Sequence, residues 1–412
     1  MPRLLMIVLA ACAAVQLLSA TWLVKDFTTP NVSREIAEHL VATGGYAVGD
    51  ARAYHLPGEP LLIAAGLHLP SALRPYLHLP VVLLFVGSVT ATAFAVLGPR
   101  VAAIAGGLAT LDPFVVAHGP VWDDAMLAAS LEWLVIALLV SALPATQDEP
   151  AMRSRTSLTP LLAGLAAAGA AVSRIHSQWL LAGLVIITWS RPRFAAARAT
   201  AAMVALGAAV AVSAWGWRNT SAVGAFVTGS THDGKTFFES TYATARGAIL
   251  THGVAQHFEA GQVPPQALNP VGGEVAMNRF FMDEAWGYVV SHPFDVTLTA
   301  MFKTMVSMTG VDFGRPLTSP RNLVAVASNL ALVSAAIGGV VAWRRHPASG
   351  TDRGRLVSAA ALTMAATTLT LLAAGPVGLR YRLSLAGFLY LAAALALHVR
   401  FRPTTEALSA RM

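Results

Sequence analysis

Two groups of polar side chains in this 412-residue chain have the residue types and spacing for chemistry. The first is acidic: Asp26, and further on Trp122-Asp123-Asp124 with Asp112 and His118 just upstream. A carboxylate near a membrane surface can take the proton of an acceptor hydroxyl, and neighbouring carboxylates raise one another's proton affinity, which suits acid or base work or metal ligation. Each acid also has a plainer role open to it. Asp26 can be a solvated partner of Lys25, Asp124 a helix cap and Asp123 its solvated neighbour. The second group is basic: Arg174 with His176, Arg218 after Trp215 and Trp217, and Arg380 and Arg382 around Tyr381. Two or three guanidiniums at one depth can hold a phosphate or pyrophosphate through charge-assisted, often bidentate bonds; singly, each can instead snorkel to lipid headgroups. Glu132 falls within an apolar run and calls for a partner inside the bundle. No GxxxxGK[ST], HExxH or GxSxG pattern occurs, so the usual designs for nucleotide hydrolysis, zinc proteolysis and serine hydrolysis have no support. One cysteine excludes a disulfide framework and a cysteine-based zinc site.

The elements that must position these residues are membrane spans. With 55% hydrophobic and 12% charged residues and a mean hydropathy of +0.60, the chain is too apolar for a soluble globule. Apolar segments run from residues 4 to 24, 80 to 98, 101 to 117, 124 to 143, 158 to 173, 177 to 190, 199 to 217, 322 to 343, 356 to 374 and 383 to 399. The expectation is an all-α polytopic membrane protein of about ten transmembrane helices, one integral membrane domain over 1–412. The net charge of +7 comes from arginines in short clusters between spans and not on one basic face, so nucleic acid is not a partner. Arg3, Arg100, Arg153, Arg155, Arg191, Arg193, Arg198, Arg344, Arg345, Arg353, Arg355, Arg400 and Arg402 mark alternate gaps, which the positive-inside rule makes cytoplasmic, together with both termini.

The acids face the other way. Of 21 acidic residues, only Asp148, Glu149, Asp352 and Glu406 fall in the cytoplasmic gaps. Two exterior connections are long, residues 25–79 and 218–321. The first predicts an interfacial helix from Pro30 to Thr43 closed by Gly44-Gly45. The second carries an amphipathic segment, Phe294 to Met308, expected at the membrane surface.

The order of these pieces resembles the GT-C superfamily of membrane glycosyltransferases, in its bacterial branch similar to dolichyl-phosphate-mannose-protein mannosyltransferases and aminoarabinose transferases. Gly45-Tyr46 followed by Tyr54-His55-Leu56-Pro57-Gly58-Glu59-Pro60-Leu61 is the most specific match. Asp112-Pro113 followed by Asp123-Asp124, Ser173-Arg174, Trp215-Gly216-Trp217-Arg218-Asn219, Phe226 to Thr231 and Arg380-Tyr381-Arg382 follow in the family's order. The resemblance implies transfer of a sugar from a polyprenyl-phosphate donor to a lipid, glycan or protein acceptor on the exterior face, with inversion, and the alanine- and arginine-rich composition fits a bacterial plasma membrane. It implies Asp26, Asp123 or Asp124 as the catalytic carboxylate and Tyr54, His55, Glu59, Arg174, His176, Arg218, Arg380, Tyr381 and Arg382 as substrate-binding residues. Where the family carries its acid this sequence has Thr29-Pro30, and the nearest carboxylate is Asp26, three residues earlier. A leaving phosphate stabilised by arginines needs no nucleotide and no organic cofactor. If the first two exterior loops meet, Asp26, Asp123 and Asp124 can share a divalent metal ion. The chain length leaves no room for a sizeable soluble C-terminal domain, which assigns acceptor recognition to the two long loops. Two other readings stand beside this one: a transporter or flippase for a lipid-linked or anionic substrate, and a non-catalytic relative that binds the lipid carrier.

Overall fold

A computed structural model describes residues 2–22, 32–118, 124–144, 158–241, 273–311, 316–375 and 382–401. Sixteen α-helices run through them in the order α1 Pro2–Trp22, α2 Val32–Thr43, α3 Gly58–Leu67, α4 Leu79–Leu97, α5 Pro99–Leu111, α6 Pro113–His118, α7 Asp124–Ser141, α8 Leu158–Ala171, α9 Ile175–Ser190, α10 Arg198–Val223, α11 Asp233–Thr241, α12 Gly273–Ser291, α13 Pro293–Thr309, α14 Pro320–Arg345, α15 Asp352–Ala374 and α16 Leu383–Arg400. There is no named strand among the described residues, only an isolated bridge between Val48 and Ala51. The protein is an all-α, multi-pass membrane protein.

Among the described residues each of the ten apolar runs is carried by an α-helix, or in one case by two. Among the described residues seven helices are long and apolar enough to cross a membrane; α5, α8 and α9, of 13, 14 and 16 residues, are shorter. The run from 101 to 117 is divided, because Asp112 leaves the helical region at φ −58° and ψ 119° and Pro113 starts a new helix. A residue before proline is driven from the α region by the pyrrolidine ring, and this breaks the span where an acid stands. Prolines also open α4, α13 and α14, where the missing N–H costs no bond.

Among the described residues the core is one large cluster drawn from α1, α4 to α10, α15 and α16, rich in alanine and valine. Lipid is as apolar as leucine, so helices in it associate through close packing of small residues. Gly207 of α10 shows how close: a Cβ there would collide with the backbone of Gly164 in α8. Two satellite clusters lie outside this core, Ala37, Ile63 and Ala64 between α2 and α3, and Phe237, Phe238, Phe281 and Ala285 between α11 and α12. At one end of the bundle Arg353 of α15 donates to Leu143 O from Nε and Nη2, and to Ala95 O from Nη1, tying the ends of α7 and α4. A cation there meets the negative ends of both helices. The breaks at Asp112 and Arg174 and the starts of α7 and α16 lie at the opposite end, called below the site end.

Candidate functional site

The site is built where four helix ends meet. Asp112 closes α5, and its Oδ1 accepts from Phe114 N at 2.7 Å, capping α6. Its Oδ2 accepts from Tyr390 OH of α16 at 2.7 Å and faces Arg382 Nη2 at 3.7 Å. Arg382, the residue before α16, is fully buried. It donates to Met308 O from Nη1 at 3.4 Å, and its guanidinium carbon stands 5.6 Å from the Phe114 ring centroid. Its Nε and Nη2 have no hydrogen-bond partner among the described residues. A buried guanidinium with donors to spare is poised for an anion, since leaving such donors unmet in a low dielectric is costly.

Asp124 opens α7 and meets Arg174 Nε at 3.1 Å. Arg174 lies at the break between α8 and α9, in extended backbone at φ −148° and ψ 143°. Two residues on, His176 Nε2 stands 3.2 Å from Glu132 Oε1 and 3.4 Å from Ser384 Oγ. Ser177 Oγ donates to Glu132 Oε1 at 2.6 Å, and Trp133 Nε1 donates to Ser384 O at 2.8 Å. Glu132, fully buried, thus has its partners within the bundle. Three acid–base pairs, Asp112 with Arg382, Asp124 with Arg174 and Glu132 with His176, join α5, α7, α9 and α16 at one end.

A second polar group sits beside the first and belongs to the first connection. Arg218 of α10 donates from Nη2 to Tyr46 O at 2.9 Å, from Nη1 to Asn219 Oδ1 at 3.0 Å, and also to Arg52 O. Its guanidinium lies 5.1 Å from the ring centroids of both Tyr46 and Trp215. Trp215 Nε1 donates to Gly229 O at 2.9 Å, Asn219 Nδ2 to Val227 O at 2.8 Å, and Thr231 N to Ala53 O at 2.9 Å. The Gly-Tyr, Trp-Arg-Asn and Phe-to-Thr stretches therefore form one knot around the loop from residue 44 to 57. Glu274 at the start of α12 tightens it, accepting from Arg52 N at 2.7 Å and Thr231 Oγ1 at 2.6 Å. Gly58 N then bonds Val172 O at 2.8 Å, which seats the loop's end on the break that carries Arg174.

Above this knot the Tyr54 and His232 rings pack at 4.4 Å, with the phenol oxygen 3.4 Å from His232 Nε2. Burial, with Lys235 and His55 adding positive charge, pushes His232 down to about 4. Burial raises Tyr54, and Glu239 adds to it. Burial also pushes Glu239 up to about 7, against the opposing pull of Lys235 at 3.7 Å. Burial raises Asp233 against hydrogen bonds from Ser230.

The structure places the expected residues unevenly. Asp124, Arg174, His176 and Arg382 come together at the site end. Tyr54 and His55 lie in the neighbouring knot, where the His55 carbonyl accepts from Tyr46 OH at 2.9 Å. Arg218 is spent on backbone carbonyls of that loop. Glu59 is buried against His78, whose Nε2 stands 3.1 Å from Glu59 Oε1. Asp26, Asp123, Arg380 and Tyr381 lie outside the described residues. Tyr390, Ser384, His232 and Glu274 join the two groups without having been singled out; only His232, beside the Phe-to-Thr stretch, carried a sequence signal. Among the described residues no three His, Cys, Asp or Glu come together to hold a metal ion.

No family model matches this chain, and no curated protein matches it. Solved structures do. An apo crystal structure of the Archaeoglobus fulgidus oligosaccharyltransferase is similar at a TM-score of 0.56 and 14% identity, over 98% of this chain and 52% of that one. The same organism's oligosaccharyltransferase AglB, in complex with an inhibitory peptide and a dolichol-phosphate, is similar at 0.55 and 15% identity, over 99% of this chain and 52% of that one. A third, tethered to an acceptor peptide, is similar at 0.55 and 15% identity, over 98% and 50%. The chain has the GT-C fold. It spans about half the length of these solved chains. Within the GT-C fold, the likeness extends over nearly all of this chain, so the knot and the cluster at the site end both lie inside it.

Proposed function

We propose that this chain is a glycosyltransferase that moves a sugar from a polyprenyl-phosphate-linked donor to an acceptor on the exterior face of a bacterial plasma membrane. The observation that carries the reading is Arg382: a fully buried guanidinium with two donors that have no hydrogen-bond partner among the described residues, set in a GT-C fold at the same end of the bundle as Arg174. The dolichol-phosphate in the AglB complex supports a lipid-linked donor, and the tethered peptide supports an acceptor bound by the same fold.

In this reading a carboxylate takes the acceptor hydroxyl's proton as the oxygen attacks the anomeric carbon, and the bond from that carbon to the phosphate oxygen breaks. One displacement inverts the configuration. The departing lipid phosphate gains charge, and Arg382 and Arg174 stabilise it. Asp26 is the proposed base, with Asp123 as the second candidate, because Asp124 already gives Oδ2 to Arg174. That bond also leaves Asp124 poorly suited to sharing a metal ion, which would then rest on Asp26 and Asp123. The acceptor would lie against Tyr54, His55 and His232, whose rings and imidazole nitrogens can meet hydroxyl groups. Ten crossings starting inside would finish inside and put both termini in the cytoplasm, with the site end outside.

The test is transfer of radiolabelled sugar from native polyprenyl-phosphate donors in membranes overexpressing the chain. Wild type is compared with Asp26→Asn and Asp123→Asn at equal abundance. Labelling that Asp26→Asn abolishes supports both the reaction and its base. Labelling lost only in Asp123→Asn keeps the reaction and moves the base. No labelling with any donor overturns the reading and favours a carrier-binding or lipid-moving protein.

A further inference from the structure

Helix α13 is built inside out. The face it turns to the protein is mostly polar: Thr299, Lys303 and Ser307 are at most 2% exposed, with Val306 the apolar residue among them. The face it turns outward is apolar: Phe294, Leu298, Met301 and Met305 are 36% to 76% exposed. A helix lying on a protein in water has the opposite arrangement, because apolar area is driven inward and polar groups stay hydrated. Most polar groups of α13 are met by protein carbonyls. Lys303 Nζ donates to Ser240 O, Ala373 O and Gly375 O at 2.8 to 3.0 Å, at the negative ends of α11 and α15. The hydroxyls of Thr297, Thr304 and Thr309 each bond a carbonyl one turn back, at Pro293, Ala300 and Met305. Closing these three hydroxyls on the helix's own carbonyls suits a hydrocarbon environment, which offers no outside partner.

Asn329 Nδ2 donates to Thr309 O at 3.2 Å. Asn329 lies nine residues beyond the start of α14, so the end of α13 sits roughly 14 Å along that helix at about 1.5 Å per residue. The first turns of α14 expose Leu323 and Val324, and Leu330 follows, so the helix that α13 packs against is itself apolar on its outside and long enough to be a span.

We infer that α13 is sunk in the acyl region of the leaflet at the site end, with Phe294, Leu298, Met301 and Met305 against lipid chains. It does not lie on the membrane surface, as its amphipathic sequence suggests. It is then a lipid-facing wall beside Arg382, since Met308 O accepts from Arg382 Nη1. A substrate with a lipid tail would reach Arg382 past this helix. The inference rests on polarity and depth alone and stands whether or not the chain transfers sugar.

The test uses single cysteines at Leu298, Met301 and Met305, with Asp283 on the exposed face of α12 as the aqueous reference, each spin-labelled in the full chain in liposomes. The native chain, whose one cysteine is buried, gives the labelling background. Collision rates with molecular oxygen, which concentrates in lipid, and with a water-soluble nickel chelate are compared. The expected result is an oxygen-to-nickel ratio several-fold higher at Leu298→Cys and Met301→Cys than at Asp283→Cys. A ratio equal to that of Asp283→Cys would place the face in water and overturn the inference. Exclusion of both reagents would also overturn it, because protein would then cover the stripe. If one variant fails to fold, Met305→Cys carries the same reading.

Discussion

The proposed chemistry turns at the residue scale on Arg382, a buried guanidinium with more donors than the described residues around it accept. Arg382→Lys keeps a positive charge beside Asp112 but removes the planar fork and the Nε donor. It is expected to leave the protein folded and to raise the donor KM about tenfold or more, since a charged hydrogen bond contributes roughly 1.5–3 kcal/mol. An unchanged donor KM in the transfer assay would remove Arg382 from the phosphate site. His232 gives a pH signature. Its folded value near 4 lies below the ordinary 6.5, so in this window the unfolded chain holds a proton that the folded chain refuses. Stability therefore falls as pH is lowered from about 6.5 toward about 4, and His232→Asn should flatten that part of the slope in thermal unfolding. A slope equal to wild type would show that His232 does not titrate as its surroundings dictate. Glu132 was readable as a residue in need of a partner; that the partner would be His176, 44 positions on, was not, because the pairing depends on how α7 and α9 are rotated.

At the scale of elements, the sequence motifs make sense as joints. The Pro57-Gly58 step matters because α3 must begin against the break between α8 and α9. A Cβ on Gly58 would come within 2.8 Å of Ser173 Cα, with the Ser173 hydroxyl nearer still. Gly58→Ala should therefore push the first connection off the break and cost about 1–3 kcal/mol in unfolding, with a matching loss of transfer if Arg174 moves. Wild-type stability in Gly58→Ala would show that the contact is loose. The Gly-Tyr, Trp-Arg-Asn and Phe-to-Thr stretches were visible one by one in the sequence. Their meeting was not, since Tyr46 and Trp215 lie 169 positions apart and come edge to face at 5.2 Å only once α10 stands beside the loop. Arg218 shows the same limit from the other side. An arginine after tryptophans at a span's end has the pattern of a phosphate ligand or an interface anchor, and it became a clamp on backbone carbonyls.

For the whole molecule, ten helical runs and alternating arginine clusters define a topology that fusions can test. Reporters active only in the cytoplasm, placed at residues 2 and 401, should both be active, and one placed in the segment 242–272 should be silent. Activity at one terminus alone would mean an odd number of crossings. Composition, apolar run length and arginine spacing were enough to define a multi-pass helical protein, because lipid forces every spanning segment to satisfy its own backbone and to be apolar over its length. The same force hides the rest. In lipid a helix's outer face carries little periodic contrast, so the sequence does not say which side of each span faces its neighbours. Only the tertiary structure could pair Asp112 with Arg382 across 270 positions, assign Glu59 to His78, and turn the polar side of α13 inward. Those pairings depend on where helix ends meet in space, and that is set by the packing of small residues along the entire bundle.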